Sequence, residues 1–334
     1  MSEQELNATV RSQIGQGDRS EKMSVIFQAL GMLPVLIAVS AAFAFISDRF
    51  LSVGNLLIVM QQASINLVLA CGMTLVILTA GIDLSVGSVL AASAIAAVIV
   101  SLDPTFSQLA IPAALACGLG FGLINGILIA FVRLPPFIVT LGGLTAIRGI
   151  ARLMGNDTTV FNSNLPYAII GNGSIFGIPI LVIIALMTVL VTWFVLRRTV
   201  LGVHIYAIGG NPNAARLTGI KVNWVLIFVY AASGLLAGLG GVMASARLYA
   251  ANGLQLGQAY ELDAIASVIL GGTSFVGGIG SIWGTLVGAL IIAVLSNGLI
   301  LTGVPDVWQY IIKGLIIVGA VALDRFRLRG GART

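Results

Sequence analysis

Long apolar runs broken by short polar stretches dominate the chain. A membrane-crossing helix needs about 20 mainly apolar residues. The windows that meet or approach that length are 25–46, 56–78, 84–101, 109–131, 137–154, 176–196, 223–246, 259–271, 282–301 and 307–323. They predict an all-α, polytopic membrane helical bundle of about ten helices, of which 259–271 is too short to span alone. Apolar density never drops for long enough to place a linker, so 25–323 reads as one transmembrane domain between tails 1–24 and 324–334, with a polar segment at 199–222. Ala42 and Ala44 resemble a signal-cleavage pattern, but the run Val25 to Phe45 is longer than the usual h-region, which predicts an uncleaved first span.

Composition strengthens this picture. Of 334 residues 58% are hydrophobic and 9% charged, at a mean hydropathy of +1.06, whereas soluble domains carry roughly 25% charged residues. The 41 glycines are scattered, not periodic, which excludes collagen and favours close helix approach. A pI near 9.6 raises nucleic acid as a partner, but the basic residues sit at the ends of apolar runs, as topology signals do. With a cytoplasmic N-terminus, the inside segments receive twelve of the 17 basic residues: Arg11, Arg19, Lys22, Arg133, Arg197, Arg198, Arg216, Lys221, Arg325, Arg327, Arg329 and Arg333. Arg49, Arg148, Arg152, Arg247 and Lys313 fall outside or within spans. Both termini are thus expected in the cytoplasm, and no nucleic acid is expected.

Three stretches carry chemistry. The first is GIDLSVGS, Gly81 to Ser88, where Asp83 interrupts two otherwise uncharged runs. An acid at membrane depth is costly and usually functional; alternatively Gly81 ends one helix and Asp83 or Ser85 caps the next. The second is GGNPNAARLTGI, in which Asn211 suits an N-cap, Pro212 the first helical position and Gly219 a left-handed stop, leaving a short helix over Asn213 to Thr218. A helix so short is marginal in water and needs a surface to dock on, either the bundle or a soluble partner, with Ala214, Ala215 and Leu217 offering apolar contact beside Arg216. The third is YELDAIASVILGGTSFVGGIGS, Tyr260 to Ser281, with Glu261 and Asp263 at the positive end of a short helix. Its glycines from Gly271-Gly272 to Gly277-Gly278 cannot form a regular lipid-facing helix, so that backbone is expected to be buried or to line a cavity. Val76-Ile77-Leu78, leading to Gly87-Ser88, is echoed by Val268-Ile269-Leu270, leading to Gly280-Ser281, a weak sign of duplicated halves flanking a pathway.

Absences narrow the function. No G-x-x-x-x-G-K-[ST] occurs, so the chain has no phosphate loop with which to hydrolyse a nucleotide, and any ATP dependence must come from another subunit. His204 is the only histidine and has no cysteine nearby, which argues against a metal. Cys71 and Cys117 lie in apolar runs and read as small hydrophobes rather than a disulfide. Ser85 and Ser88 lack a recognisable catalytic setting. No catalytic residue and no cofactor are expected.

QQASINLVLACGMTLVILTAGIDLSVGS, then RLTGIKVN, then YELDAIASVILGGTSFVGGIGS followed by GTLVGALI resemble the permease subunits of bacterial monosaccharide ABC importers, most nearly those for ribose. The resemblance runs from about Asn55 to the last span. It implies a second permease copy, a cytoplasmic ATP-binding subunit, a periplasmic sugar-binding protein and residence in the bacterial inner membrane. It also makes Asn211, Pro212, Ala214, Ala215, Arg216, Leu217 and Gly219 the coupling segment that engages the ATPase. Asp83, Ser85, Gly87, Glu261, Asp263, Gly271, Gly272 and Thr273 are the pathway or gate candidates. Xylose, arabinose, galactose or a polyol remain open as cargo, as does a branched-chain amino acid. The outer loop 155–177, with Asn156, Asp157, Asn162, Asn164, Asn172 and Ser174, offers a polar surface for a binding protein or for nothing specific. An ion-coupled secondary transporter would have to rely on Asp83, Lys313 or Arg148, and a membrane-embedded enzyme would need a catalytic cluster that the chain does not show.

Overall fold

A computed structural model describes residues 32–305, 307–316 and 318–319. Both tails, the first residues of the window 25–46 and the end of the window 307–323 lie outside them. The helices are α1 (Leu33–Ile46), α2 (Val53–Leu78), α3 (Val86–Leu102), α4 (Ala110–Ala130), α5 (Pro136–Met154), α6 (Ala168–Asn172), α7 (Ile180–Arg198), α8 (Val200–Gly210), α9 (Pro212–Leu217), α10 (Val222–Leu248), α11 (Tyr260–Leu270) and α12 (Ile282–Leu301). Residues 307–316 are helical as well. Four short strands, β1 (Thr159–Phe161), β2 (Ser174–Ile175), β3 (Ile178–Pro179) and β4 (Ala250–Asn252), form two small antiparallel pairs, β1 with β4 and β2 with β3. Within the described residues six helices are long and apolar enough to cross a bilayer: α2, α4 with its leading turn from Ser107, α5, α7, α10 and α12. This is an all-α, multi-pass membrane architecture.

Local signals explain where these helices start and stop. Ser52 Oγ accepts from Asn55 N at 3.3 Å at the head of α2, while Pro136 and Pro212 occupy first-turn positions where a missing N–H costs nothing. At 11 residues α11 is about 16 Å long by its rise per residue, half the ~30 Å of bilayer hydrocarbon. Two features depart from the hydropathy windows. The window 176–196 begins in the β2–β3 turn, where Phe176 and Gly177 take positive φ, and its helix starts only at Ile180. The polar segment 199–222 contains an additional helix, α8, because Val200 to Gly210 is far more apolar than its neighbours and is capped by Thr199, whose Oγ1 accepts from Gly202 N at 3.3 Å.

Helix α10 is the hub, packing on α4, α3 and α2. Gly118, Gly122 and Gly126 recur every fourth residue on α4 and face Tyr230, Gly234 and Gly238 on α10. A Cβ on Gly118 would strike the Gly234 carbonyl, and one on Gly122 would strike the Tyr230 carbonyl. Small residues at this spacing let two membrane helices come into backbone contact, which drives association where burial from water cannot. Polar pairs tie α2 to α12. Asn55 Nδ2 donates to Asn297 Oδ1 and Asn297 Nδ2 to Asn55 Oδ1, both at 2.9 Å, and the Thr74 and Thr285 hydroxyls lie 2.9 Å apart.

Candidate pathway and coupling site

The turn between α2 and α3 is a polar knot inside the bundle. Ala80 takes a left-handed conformation, φ 61°, and turns the chain out of α2. Asp83, 2% exposed, accepts at Oδ1 from Ser85 N at 3.0 Å and from Ser85 Oγ at 2.6 Å, and at Oδ2 from Ser233 Oγ of α10 at 2.9 Å. Ser85 Oγ in turn accepts from Asn125 Nδ2 of α4 at 2.9 Å. Helix α5 closes the other side, with Thr140 Oγ1 donating to Ile82 O at 3.1 Å and Ser88 Oγ to Leu144 O at 2.8 Å. Neither Asp83 nor Ser85 caps α3 through its side chain: Asp83 lies two residues upstream of the N-cap position, so its carboxylate closes a turn with Ser85 N–H and then reaches α10. Helix packing thus reassigns Asp83 from a local cap to a cross-link.

The pathway candidates do not converge on one space. Gly87 is packed so tightly that a Cβ there would meet Gly257 O and the Glu261 carboxylate. Gly271 lies in backbone contact with Gly284 at the crossing of α11 and α12. Thr273 is buried and its Oγ1 has no hydrogen-bond partner among the described residues, while Gly272, φ 84°, has open space around it. Glu261 and Asp263 both occupy the first turn of α11 but meet different neighbours. Glu261 Oε2 is buried without a partner, whereas Asp263 Oδ2 pairs with Lys313 Nζ at 2.9 Å. Arg148 of α5 donates to three loop carbonyls, Gly253 O at 3.1 Å, Leu256 O at 2.6 Å and Gly257 O at 3.3 Å, and so pins the segment leading into α11.

The glycine-rich stretch after α11 is in part buried, as irregular backbone in a membrane protein must be; Phe275, Val276 and Ile279 form its exposed tip. Gly278 N donates to Leu78 O at 3.0 Å, and Gly277, φ 91°, packs on Ala80. The loops that follow the two echoed apolar stretches therefore touch.

The same end of the molecule carries α9. Asn211 Oδ1 accepts from Asn213 N and Ala214 N, both at 3.0 Å, Pro212 opens the helix, and Gly219 follows it at φ 87°. Only Ala215 is buried; Asn211, Pro212, Ala214, Arg216, Leu217 and Gly219 are exposed, Leu217 at 91%. A cavity of about 390 Å³ separates this helix from the bundle, lined by Arg133, Pro212, Arg216 and Tyr230 among others. Ala215 is the one buried residue of the helix, and the rest of it is exposed.

The polar residues of the loop 155–177 mostly tie it to the neighbouring helices. Asn162 Nδ2 donates to Ser101 O at 3.0 Å, Asn172 Nδ2 to Ala246 O at 2.8 Å, and Arg152 pairs with Asp157 at 2.7 Å. That guanidinium holds the Asp157 carboxyl below the usual carboxylate range. Sequence reasoning passed over Asn125, Ser233, Asn55 and Asn297; the available signal was a polar side chain within an apolar helix.

No group of metal-ligating side chains occurs among the described residues, and the fold and its buried polar contacts define an all-α, polytopic membrane protein. The chain belongs to the family described as the permease component of the branched-chain amino acid transport system, whose model matches residues 55–321. Among curated proteins it is 45% identical over 302 residues to the ribose import permease of Escherichia coli strain K12, covering 89% of this chain and 92% of that one. It is 43% identical over 305 residues to the ribose import permease of Bacillus subtilis strain 168, covering 90% and 94%. The galactose/methyl galactoside import permease of Escherichia coli strain K12 is 38% identical over 317 residues, covering 89% and 94%. No solved structure matches the chain. Its relatives are permease components, not enzymes.

Proposed function

We propose that this chain is the membrane-spanning permease subunit of an ATP-driven importer of ribose or a related pentose. The observation that carries the proposal is 43–45% identity to ribose import permeases over roughly nine-tenths of both chains, against 36–38% for the allose and galactose relatives. The chain lies in a bacterial inner membrane with about ten spans and both termini in the cytoplasm, a topology supported by the twelve-to-five bias of its basic residues. Two copies form the pathway, a cytoplasmic ATP-binding subunit supplies the energy that a chain without a phosphate loop cannot, and a periplasmic binding protein presents the sugar.

Coupling runs through α9. Leu217 is exposed and Arg216 borders the cavity while Ala215 ties the helix to the bundle, so a partner that grips the exposed side and changes shape on ATP binding tilts α9 against the cavity beside it. A ligand or partner shifts such an equilibrium only by its differential affinity for the two states, and the ATPase provides that difference. Ion coupling gains no support from the three residues it would need: Asp83 is held by three donors, Lys313 is paired with Asp263, and Arg148 is spent on carbonyls.

The test is uptake of labelled ribose by cells lacking their own ribose importer, supplied with this permease, its ATPase and its binding protein. Accumulation competed by excess ribose is the expected result. Accumulation of leucine in place of ribose overturns the sugar assignment.

A further inference from the structure

Halfway along α2 the apolar pattern is interrupted by Gln62 and Asn66, one helical turn apart. They line a half-open cavity of about 280 Å³ between α2, α10, α11, α12 and the helix of residues 307–316, together with Arg247, Tyr260, Asp263, Ser296 and Lys313. That volume far exceeds the ~10–15 Å³ that admits a single water and lies near the small end of ligand pockets. Asn66 Nδ2 donates to Ser267 Oγ at 2.9 Å, and Ser267 Oγ donates onward to Asp263 O at 2.7 Å, which fixes the orientation of the Asn66 amide. Asn66 Oδ1 and Gln62 Oε1 are then left buried without hydrogen-bond partners. Two orphaned amide oxygens on one turn of a membrane helix are costly, and a small shift of either side chain into the cavity lets an entering hydroxyl supply the donor they lack.

The composition of the wall selects the ligand. Lys313 and Arg247 only donate, Asp263 only accepts, and the amides and hydroxyls do both. An inorganic cation would meet two positive side chains and an anion would meet Asp263, whereas each hydroxyl of a sugar both donates and accepts. From this the geometry points to a binding station for a neutral polyhydroxylated solute at mid-membrane depth, in which Gln62 and Asn66 read the sugar hydroxyls. Asn66 is the fourteenth of the 26 residues of α2, a helix of about 39 Å by its rise per residue, so the station lies near the bilayer midplane, where transporters commonly hold their cargo.

The inference deepens the importer reading and rests on it, and the experiment separates the two. Uptake of ribose and of 2-deoxyribose is compared for the complete importer carrying wild-type permease or Asn66→Leu, at equal permease levels in the membrane. The variant is expected to lose about tenfold in ribose uptake, the scale of one buried hydrogen bond, and to lose its preference for ribose over the deoxy sugar. Wild-type uptake without any such change in the variant overturns the station but leaves the importer standing; a wild type that takes up neither sugar strikes the importer reading itself. A second measurement holds even where Asn66→Leu fails to insert. The full-length permease with Ser296→Cys in a Cys117→Ala background is labelled by a small methanethiosulfonate in nanodiscs. Millimolar ribose is expected to slow labelling several-fold, and a rate unmoved by ribose, or slowed only by added phosphatidylglycerol, overturns the station.

Discussion

At the residue scale several buried polar groups serve as cross-links between helices. Asp83 accepts three hydrogen bonds inside the bundle. Asparagine keeps one acceptor oxygen for Ser85, and the Ser233 hydroxyl can turn to accept from the new amide, so Asp83→Asn is expected to insert and transport close to wild type. Asp83→Leu leaves three buried donors without an acceptor, each worth about 1–3 kcal/mol, and is expected to lower the melting temperature of the purified permease sharply. A leucine variant as stable as wild type would remove Asp83 from this role. The same reasoning reaches Asn211, whose side chain caps α9 at two amides. Asn211→Ala is expected to cost the helix about 1 kcal/mol and to weaken the response of ATP hydrolysis to sugar-loaded binding protein, measured in proteoliposomes. Ala215 is a poor probe of coupling because it is the one buried position of α9. Arg216→Glu and Leu217→Glu are the informative changes, expected to leave insertion intact and to abolish ribose uptake.

At the scale of elements the close pairing of α4 with α10 is what the scattered glycines achieve. Gly122→Leu drives a side chain into the Tyr230 carbonyl and the backbone of α10, so overpacking of well over 1 kcal/mol is expected, read as a loss of folded permease by size-exclusion chromatography. Gly120→Leu, two residues away on the other side of the helix with open space around it, is the matched control and is expected to fold normally. Equal behaviour of the two would mean that the helices do not meet as described. Element boundaries were legible wherever a cap or a glycine marked them, as at Asn211, Pro212 and Gly219. The extra helix α8 went unread because the polar residues after it outweigh its own apolar run in any window that covers the whole of 199–222.

At the scale of the whole molecule the proposal is of a transport body driven by a separate ATPase. Ribose uptake is expected to stop when ATP is depleted and to survive collapse of the proton and sodium gradients by ionophores; the reverse pattern would favour a secondary transporter. Membrane residence, the order of the apolar helices, the short α11, the capped α9 and the lack of a nucleotide-binding loop were all determined by the sequence alone, because hydropathy, caps and loop signatures act over a few neighbouring residues. Which polar side chains meet was decided only by tertiary structure. Asp83 finds Ser233 at a separation of 150 residues, Asp263 finds Lys313 across 50, and Gln62 shares a cavity wall with Ser296. Such partnerships depend on how helix faces are turned toward one another, a property that packing between glycine-lined surfaces sets and that spacing along the chain does not encode.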